Sequence, residues 1–444
     1  MRHDGRPDSV TAPITDALVR FALAHDCRCT HRTLVVAVQH VVPDALDLFG
    51  GLIGLGVPPD NILLAGKWYS TVAATARALQ RRGVFVLPSR RPEFGRFYEA
   101  FVADVDDLWQ LACRRLDRQP DLEEILVLDD AGKALTRAPL HRLRSVRVVG
   151  QEQTTSGLRE LAATRVPFAV IAEGAAAVKR RFESPLFVQA ALGRTLRRVG
   201  DVAGLHCGVI GLGPIGRTLV HELQCRGATV SVHDHAAGAS IPRGARRRAA
   251  SQLFADSDLV FGCTGQDVTA GLPWPPRHRD GARWLSLSTG DREFGSLLRE
   301  IATRRGSDDD IRIANSTGDA TVLTPSGTLR VLAAGHPFNF DRRTGSASRR
   351  HMQLTVGMLL GGAIQGLRLS RRAAAPTPSG LVMSSPALQA WALRTWLQLD
   401  PELPRRLHLG DQLRPRASTW LAAHSGGDEI ADPEFTAWFA DTVS

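Results

Sequence analysis

An apolar stretch that runs into a glycine-rich turn and then into an amphipathic segment constrains the fold of this chain most strongly. In "LHCGVIGLGPIGRTLVHEL", Gly211, Gly213 and Gly216 stand at GxGxxG spacing. The first glycine permits a tight turn, the second lets the backbone approach a pyrophosphate, and the third lets the helix pack closely on the strand. Asp234 ends the next predicted strand, where a carboxylate accepts hydrogen bonds from ribose hydroxyls. The sequence therefore predicts a Rossmann dinucleotide site.

The identity of the dinucleotide follows from the same residues. The carboxylate of Asp234 would repel a 2′-phosphate, so the predicted cofactor is NAD rather than NADP. Pro214 and Ile215 open the helix whose N-terminus faces the phosphates. Thr264 and Gly265, in "GCTG", follow a later strand and face the same crevice. The alternative is a glycine-rich turn in an α/β domain that binds no nucleotide.

Two series of apolar runs separated by helical stretches predict two parallel sheets. The runs are continuous rather than alternating in polarity, as expected of strands that are covered on both faces. His40 and Asp130 stand at the ends of two runs of the first series, the edge where open α/β sheets bind ligands. A loop histidine with satisfied hydrogen bonds is the alternative for His40. The first series contains "TLVVAVQ", "NILLAG", "GVFVLP" and "EILVLDD", and the second contains six strands between "LHCGVIG" and "TLRVLAAG".

The predicted fold class is α/β with two domains, because 444 residues exceed one ordinary hydrophobic core. A Rossmann NAD domain with a doubly wound parallel sheet, residues 187–344, is inserted into a second α/β domain. This substrate domain covers residues 1–186 and is completed by a long apolar helix at about 345–370. Residues 371–444 are predicted to be a linker, "SRRAAAPTPSG", and a helical tail.

Composition excludes several classes of protein. The 55 basic and 45 acidic residues give a net charge of +10, but the arginines are spread along the chain, which predicts a solvated surface and no nucleic-acid partner. No apolar run approaches the length of a membrane helix, and the N-terminal residues lack the core of a signal peptide, so we expect a cytoplasmic protein with no membrane partner. The six scattered cysteines predict neither disulfides nor a metal site.

Lysine is nearly excluded from this chain. Only Lys67, Lys133 and Lys179 are lysines among the 55 basic residues. Because a guanidinium group does not titrate in proteins, a lysine in so arginine-rich a chain is a candidate for chemistry that needs a titratable amine.

The segment "QEQTTSGLREL", from Gln151 to Leu161, resembles the Glu-Thr-Thr-Thr-Gly segment of the S-adenosylhomocysteine hydrolase (adenosylhomocysteinase) family. "LDD", "VKRRFES", "GLGPIG", "GCTG" and "LAAGHPFNF" stand in the same order as in that family, over roughly residues 33 to 370. The resemblance implies an enzyme that transiently oxidises a ribose hydroxyl with tightly held NAD, eliminates a thioether, adds water and reduces the ketone again. It also implies a homo-oligomer, dimer or tetramer.

The resemblance implies roles for single residues as well. Lys179, with Glu183 beside it, would handle the proton of the oxidised hydroxyl, although this i, i+4 pair also suits an ordinary helix salt bridge. His40 and Asp130 would serve proton transfer around C4′ and C5′. The implied substrate contacts are Ser70, Thr71, Gln153, Ser184 and Thr289, and the further implied NAD contacts are Thr154, Thr155 and Asn339.

This sequence differs from the family at residues that, in the family, bind and protonate the substrate. Gln153, Ser184 and Thr289 stand where the family has a glutamate, an asparagine and a histidine. The prediction is therefore a divergent enzyme that acts on a nucleoside-like small molecule by elimination, hydrolysis or epimerisation. One alternative is a catalytically silent relative that binds NAD or a nucleoside and regulates a partner. Another is a plain NAD-dependent dehydrogenase related to the D-2-hydroxyacid enzymes, whose Arg-Glu-His set cannot be placed here.

Overall fold

The computed structural model describes residues 12–305, 311–313, 318–345, 347–371 and 379–406. The strands are β1 Thr33–Gln39, β2 Ile62–Gly66, β3 Phe85–Leu87, β4 Glu124–Asp129, β5 Arg147–Glu152, β6 Ala169–Ala172, β7 His206–Ile210, β8 Thr229–His233, β9 Arg246–Arg247, β10 Leu259–Gly262, β11 Arg283–Ser286, β12 Ile311–Ile313, β13 Ala320–Thr324, β14 Gly327–Val331 and β15 Gly380–Val382. The helices are α1 Pro13–Ala24, α2 Ala45–Gly54, α3 Ala73–Arg81, α4 Phe97–Arg118, α5 Lys133–Thr136, α6 Thr155–Ala163, α7 Ser184–Val199, α8 Pro214–Cys225, α9 Ala250–Asp256, α10 Gly295–Arg304, α11 Arg349–Arg371, α12 Pro386–Leu399 and α13 Leu403–Arg406. A π-helical turn, Lys179–Glu183, leads into α7.

The first sheet has the strand order β3-β2-β1-β4-β5-β6-β15, and every pairing in it is parallel. Its strands β1, β2, β4 and β6 are buried along their whole lengths, because helices cover both faces, whereas the edge strands β3 and β15 are partly exposed. The chain progresses outward in one direction from β1 and in the other from β4, so the topological switch point lies between these two strands. Ligands of open α/β sheets bind at such a point, and His40 and Asp130 flank it.

The second sheet has the order β9-β8-β7-β10-β11-β14-β13-β12. It is parallel from β9 to β14, whereas β13 pairs antiparallel with β14 and with β12. The parallel part has the strand order of the Rossmann fold, with its switch point between β7 and β10. The predicted fold class, α/β with a doubly wound sheet, is confirmed.

The strands predicted from apolar runs are all present, but five further strands are not among them. β5 carries the "QE" that opens the "QEQTTSG" segment, and β6 has only four residues. β9, β13 and β15 are two to five residues long, and β9 consists of two exposed arginines. Hydrophobic periodicity does not detect such short strands, because their pairing rather than their side chains defines them.

After the second sheet the chain returns to the first, through α11. This helix packs against β5 and β6 and against α1, α2 and α12, and most of its side chains are buried. β15 then pairs with β6, and α12 buries Leu388 and Trp396 in the same core. Part of the segment predicted to be a linker and tail is thus integral to the first sheet. The rest of that segment, 372–378 and 407–444, lies outside the described residues.

Candidate functional site

Polar side chains gather where five strands of the first sheet end. His40 follows β1, Lys67 follows β2, Asp130 follows β4, Gln153 follows β5 and Glu173 follows β6. Because all these strands are parallel, their carboxyl ends meet at one edge of the sheet. Four of these residues, together with one serine, form what we call the switch-point cluster: His40, Lys67, Ser70, Asp130 and Gln153.

Asp130 is the residue on which the cluster converges. Its Oδ2 atom lies 3.1 Å from Nε2 of His40 and accepts a hydrogen bond of 2.6 Å from Nε2 of Gln153, while Oδ1 accepts from the ammonium of Lys67. Burial alone would raise the pKa of Asp130, but Lys67 and His40 hold that pKa well below its usual range. Asp130 is therefore an ionised acceptor with three donors rather than a group that exchanges protons near neutral pH.

His40 is uncharged in this arrangement. Burial lowers its pKa, and the nearby Lys67 and Lys179 add to that effect, although Asp130 opposes it. Since Asp130 is an anion, Nε2 of His40 carries the ring proton and Nδ1 accepts a hydrogen bond of 2.7 Å from the hydroxyl of Ser70. The His40 side chain is 22% exposed to solvent, so a small molecule can reach it.

Lys179 joins the cluster through the backbone. Its Nζ donates to the carbonyl oxygen of Gln153 at 2.8 Å and lies 2.8 Å from Oε2 of Glu183. Burial alone would lower the pKa of Lys179, but Glu183, with Asp130 and Glu173, raises it above its usual value. The amine is thus an ammonium. Both residues lie on the π-helical turn, a local geometry that is frequent at functional sites.

Three predicted substrate contacts do not join these residues. The hydroxyl of Ser184 donates to the carbonyl oxygen of Arg180 at 3.0 Å, and that of Thr71 donates to the carbonyl oxygen of Lys67 at 2.8 Å. Each hydroxyl therefore satisfies the backbone of its own turn. Thr289 lies half-buried in the turn after β11, on the second sheet.

The glycine-rich turn after β7 shows why each glycine is needed. Gly211 has φ +100°, and a Cβ there would lie 2.9 Å from the carbonyl oxygen of Cys263. A Cβ at Gly216 would lie 1.8 Å from the carbonyl oxygen of Gly211, so the helix could not pack. At Gly213 a Cβ would meet open space, the volume that a pyrophosphate needs. α8 begins at Pro214, and its first turn, with Ile215, points its N–H groups at that space.

Asp234 braces this turn from the end of β8. Its Oδ2 accepts from the backbone N–H of Leu212 at 2.6 Å and its Oδ1 from that of Ala236 at 2.8 Å. Burial alone would raise the pKa of Asp234, but these two N–H groups outweigh it and lower the pKa. The carboxylate is ionised, and each oxygen keeps a lone pair for a ribose hydroxyl. The second sheet therefore carries a dinucleotide turn of the NAD type.

A buried glutamate that no sequence motif marks fixes the next turn of the same sheet. Glu293 is fully buried and accepts hydrogen bonds from Thr264, through its N–H at 2.9 Å and its hydroxyl at 2.8 Å, and from the N–H of Gly265 at 2.8 Å. Thr264 and Gly265 are thus held in place at the end of β10. The "GCTG" motif predicts only a turn, because the residue that supports this turn, Glu293, lies 29 residues after Thr264.

In the first sheet, the carboxylate of Glu152 likewise supports a turn by accepting hydrogen bonds from the backbone. This carboxylate accepts from the N–H of Gly132 at 2.8 Å and from the N–H of Thr154 at 2.6 Å. The Thr154 hydroxyl donates to Glu152 and accepts from the N–H of Gly157, so it caps α6. Thr155 is the exposed first residue of α6. Thr154 and Thr155 are both implied NAD contacts, but the hydroxyl of Thr154 makes its hydrogen bonds within the first sheet and α6.

The segment after β14 brings the two sheets together. Phe340 stacks on His40 with 4.4 Å between ring centroids, and His336 stacks on Tyr69 at 5.3 Å. Asn339 is buried between them in sequence. Just upstream, Ala333 and Ala334 have φ values of +51° and +50°. Left-handed backbone at residues with a Cβ costs energy and concentrates at functional sites.

The described residues give no support for a metal site or for a membrane-spanning helix. No three or more of their His, Cys, Asp and Glu side chains are arranged to hold a metal ion. In the same part of the chain, no helix is long and apolar enough to cross a membrane.

Comparisons with known proteins place the chain among relatives without known function. No family model matches it. It is 28% identical over 368 residues to an uncharacterised protein found in two strains of Mycobacterium tuberculosis, covering 79% of this chain. The chain spans 66% of the length of these relatives.

The solved structures that resemble the chain include several dehydrogenases. One is a putative D-3-phosphoglycerate dehydrogenase from Ralstonia solanacearum, 12% identical with a TM-score of 0.39, covering 78% of this chain and 96% of that one. Another is the NAD-bound 3-phosphoglycerate dehydrogenase of Entamoeba histolytica, 11% identical with a TM-score of 0.35, covering 76% and 93%. A third is an NAD-dependent formate dehydrogenase from Staphylococcus aureus in complex with NAD, 12% identical with a TM-score of 0.35, covering 70% and 92%.

These comparisons correct the family expected from the sequence. The sequence predicts a divergent S-adenosylhomocysteine hydrolase, and this prediction is wrong, because the solved structures that the chain resembles include a glyoxylate reductase and dehydrogenases. The resemblance covers short segments, of which "QEQTTSG" forms the turn that Glu152 supports in the first sheet. The hydrolase and nucleoside expectations find no support in these comparisons, whereas NAD is the cofactor that two of the structures contain.

Proposed function

We propose that this chain is an NAD-dependent dehydrogenase that oxidises a hydroxyl group of a small polar molecule at the switch-point cluster. The observation that carries the proposal is a pair of the partly exposed His40 with the buried Asp130, stacked on by Phe340 from the second sheet. NAD, when bound, supplies the hydride acceptor. We further propose that the first sheet with α11 is the substrate domain and the second sheet is the NAD domain.

His40 is the group proposed to take up the hydroxyl proton, which must leave as a carbinol is oxidised. It is uncharged and partly exposed, and it lies against the NAD sheet. Nδ1 becomes free when the hydroxyl of Ser70 turns to the carbonyl oxygen of Lys67, which lies 3.3 Å from Ser70 Oγ. The imidazolium that forms is stabilised by Asp130 at Nε2. Asp130 acts here as a fixed anion, as in other carboxylate-histidine pairs.

Lys179 is proposed to hold the substrate oxygen. Its ammonium has three N–H groups, of which one bonds to Gln153 and one faces Glu183, so a third remains for a ligand. A hydrogen bond from an ammonium stabilises the negative charge that develops on the oxygen when a ketone is reduced. Glu183 keeps the amine protonated and fixes its direction.

The proposal is tested by NADH formation. The protein is mixed with NAD and with secondary alcohols, polyols, 2-hydroxy acids and nucleosides, and absorbance in the NADH band is followed. At least one class should give a signal that His40→Asn removes and that Lys133→Met, a change at the Lys133–Glu160 pair away from the cluster, leaves intact. An undiminished signal in His40→Asn would place the proton acceptor elsewhere, and failure of the wild type to bind NAD would refute the proposal as a whole.

A further inference from the structure

Lys67 belongs to the same site, and it is one of the three lysines that the sequence marks as candidates for chemistry. It follows β2, its side chain is completely buried, and its ammonium pairs with Oδ1 of Asp130. A buried lysine is costly unless it is paired, and in a chain with three lysines its retention at this position needs a reason. Packing alone does not require an amine, since an apolar side chain of similar length would fill the volume against Phe101.

The geometry indicates what the amine does. His40 and Gln153 both approach Oδ2 of Asp130, so Oδ1 would lack a donor and the carboxylate could rotate if Lys67 were absent. The carbonyl oxygen of Lys67 is also the alternative acceptor for Ser70. Lys67 thus contacts both Asp130 and Ser70, the two residues that bind the ring nitrogens of His40.

We propose that Lys67 is a positioning residue of this site: it locks the Asp130 carboxylate against His40 and keeps the imidazole uncharged and ready to accept a proton. The role of Lys67 toward His40 rests on geometry, and its use in catalysis rests on the proposed dehydrogenase function. Lys67 acts through Asp130 and does not touch the substrate.

The charges that face His40 show the direction of the effect. One anion, Asp130, favours the imidazolium, while the ammonium groups of Lys67 and Lys179 disfavour it. Another titratable neighbour is the ring of Tyr69, whose pKa burial raises well above its usual value, so it stays neutral. Removing Lys67 removes one of two cations and leaves the anion, so His40 should protonate at higher pH.

The test follows the imidazole of His40 by NMR during a pH titration, its signal being assigned by its loss in His40→Asn. In the wild type the midpoint should lie below the usual value of about 6.5, and in Lys67→Met it should rise by about one pH unit or more. Lys67→Arg, which keeps the charge, should stay close to the wild type. Lys133→Met is the matched control and should show no shift.

The outcome that overturns the proposal is an unchanged His40 midpoint in folded Lys67→Met. A structural lysine would lower the melting temperature without moving that midpoint. If Lys67→Met does not fold, Lys67→Gln, which removes the charge but keeps a hydrogen-bond donor, gives the same comparison. Calorimetric titration with NAD separates the two claims, because loss of NAD binding in the wild type refutes the dehydrogenase function while the shift of His40 still tests Lys67.

Discussion

Phe340 lies face to face with His40, with 4.4 Å between ring centroids and an interplanar angle of 28°. Phe340 follows β14 of the second sheet and His40 follows β1 of the first. The contact therefore joins the carboxyl edges of two doubly wound sheets at the switch point of the first. A cofactor turn on one sheet and the proposed proton acceptor on the other are what the proposed dehydrogenase needs.

Replacing Asp234 by alanine should weaken NAD binding. The variant loses a charged acceptor for ribose hydroxyls and the brace on the N–H of Leu212. Hydrogen bonds to charged groups contribute about 1.5–3 kcal/mol, so the dissociation constant should rise roughly 10- to 100-fold. Calorimetry measures this, with the exposed Asp201→Ala as control. Equal affinity in both variants would show that the ribose does not lie at β8.

Lys179→Met should keep the fold and NAD binding but lose NADH formation by about 100-fold or more, because the donor to the substrate oxygen is gone. Lys179→Arg should fail nearly as badly. A planar guanidinium cannot occupy the place of a compact ammonium between the Gln153 carbonyl and Glu183. Single-turnover absorbance in the NADH band is the measurement. Full signal from the arginine variant would exclude a role for the amine at the reacting oxygen.

Much of this account follows from the sequence alone. Continuous apolar runs predict the long parallel strands, and the GxGxxG spacing with Asp234 predicts the cofactor turn. His40 and Asp130 are predictable because the ends of parallel strands share one edge. Lys67 stands out as one of three lysines, but its pairing with Asp130 is not predictable, since that partner is 63 residues away and is a neighbour only once β2 and β4 flank β1.

Two further features of the structure, the role of Glu293 and the strand β15, are not predicted by local sequence patterns. Glu293 supports a turn that lies 29 residues before it, and a glutamate in the segment "DREFG" has no local pattern that predicts burial. β15 has three residues between serine- and proline-rich stretches, so composition predicts a linker there.

Glu293→Gln should destabilise the fold around the second sheet. Its carboxylate accepts from Thr264 and Gly265 at once, whereas an amide would direct an NH₂ group at one of these donors. Leaving buried donors unpaired costs about 1–3 kcal/mol each, so the melting temperature should fall by several degrees. Glu300→Gln, at an exposed pair with Arg304, should change it little. Equal melting temperatures would mean that the turn does not depend on Glu293.

Glu173 should make stability depend on pH. Burial raises the pKa of Glu173 to about 8, whereas in the unfolded chain it ionises near its usual value. Between these values the folded protein retains a proton that the unfolded chain has lost, so stability should fall as pH rises from about 4.5 to about 8. Glu173→Gln removes this loss and should melt higher than the wild type at about pH 8.5 but not at about pH 5. The exposed Glu99→Gln is the control, and parallel pH curves for all three proteins would contradict the account.

NAD binding by Gly213→Val tests the central claim most directly. The protein itself has open space at Gly213, so the variant should fold and melt like the wild type, unlike Gly216→Ala, whose added Cβ would collide with the backbone of Gly211. In calorimetric titration we expect the wild type to bind NAD and folded Gly213→Val to show no binding, because the valine side chain fills the pyrophosphate volume. Wild-type affinity in Gly213→Val would contradict the account, since the cofactor would then not lie on this turn.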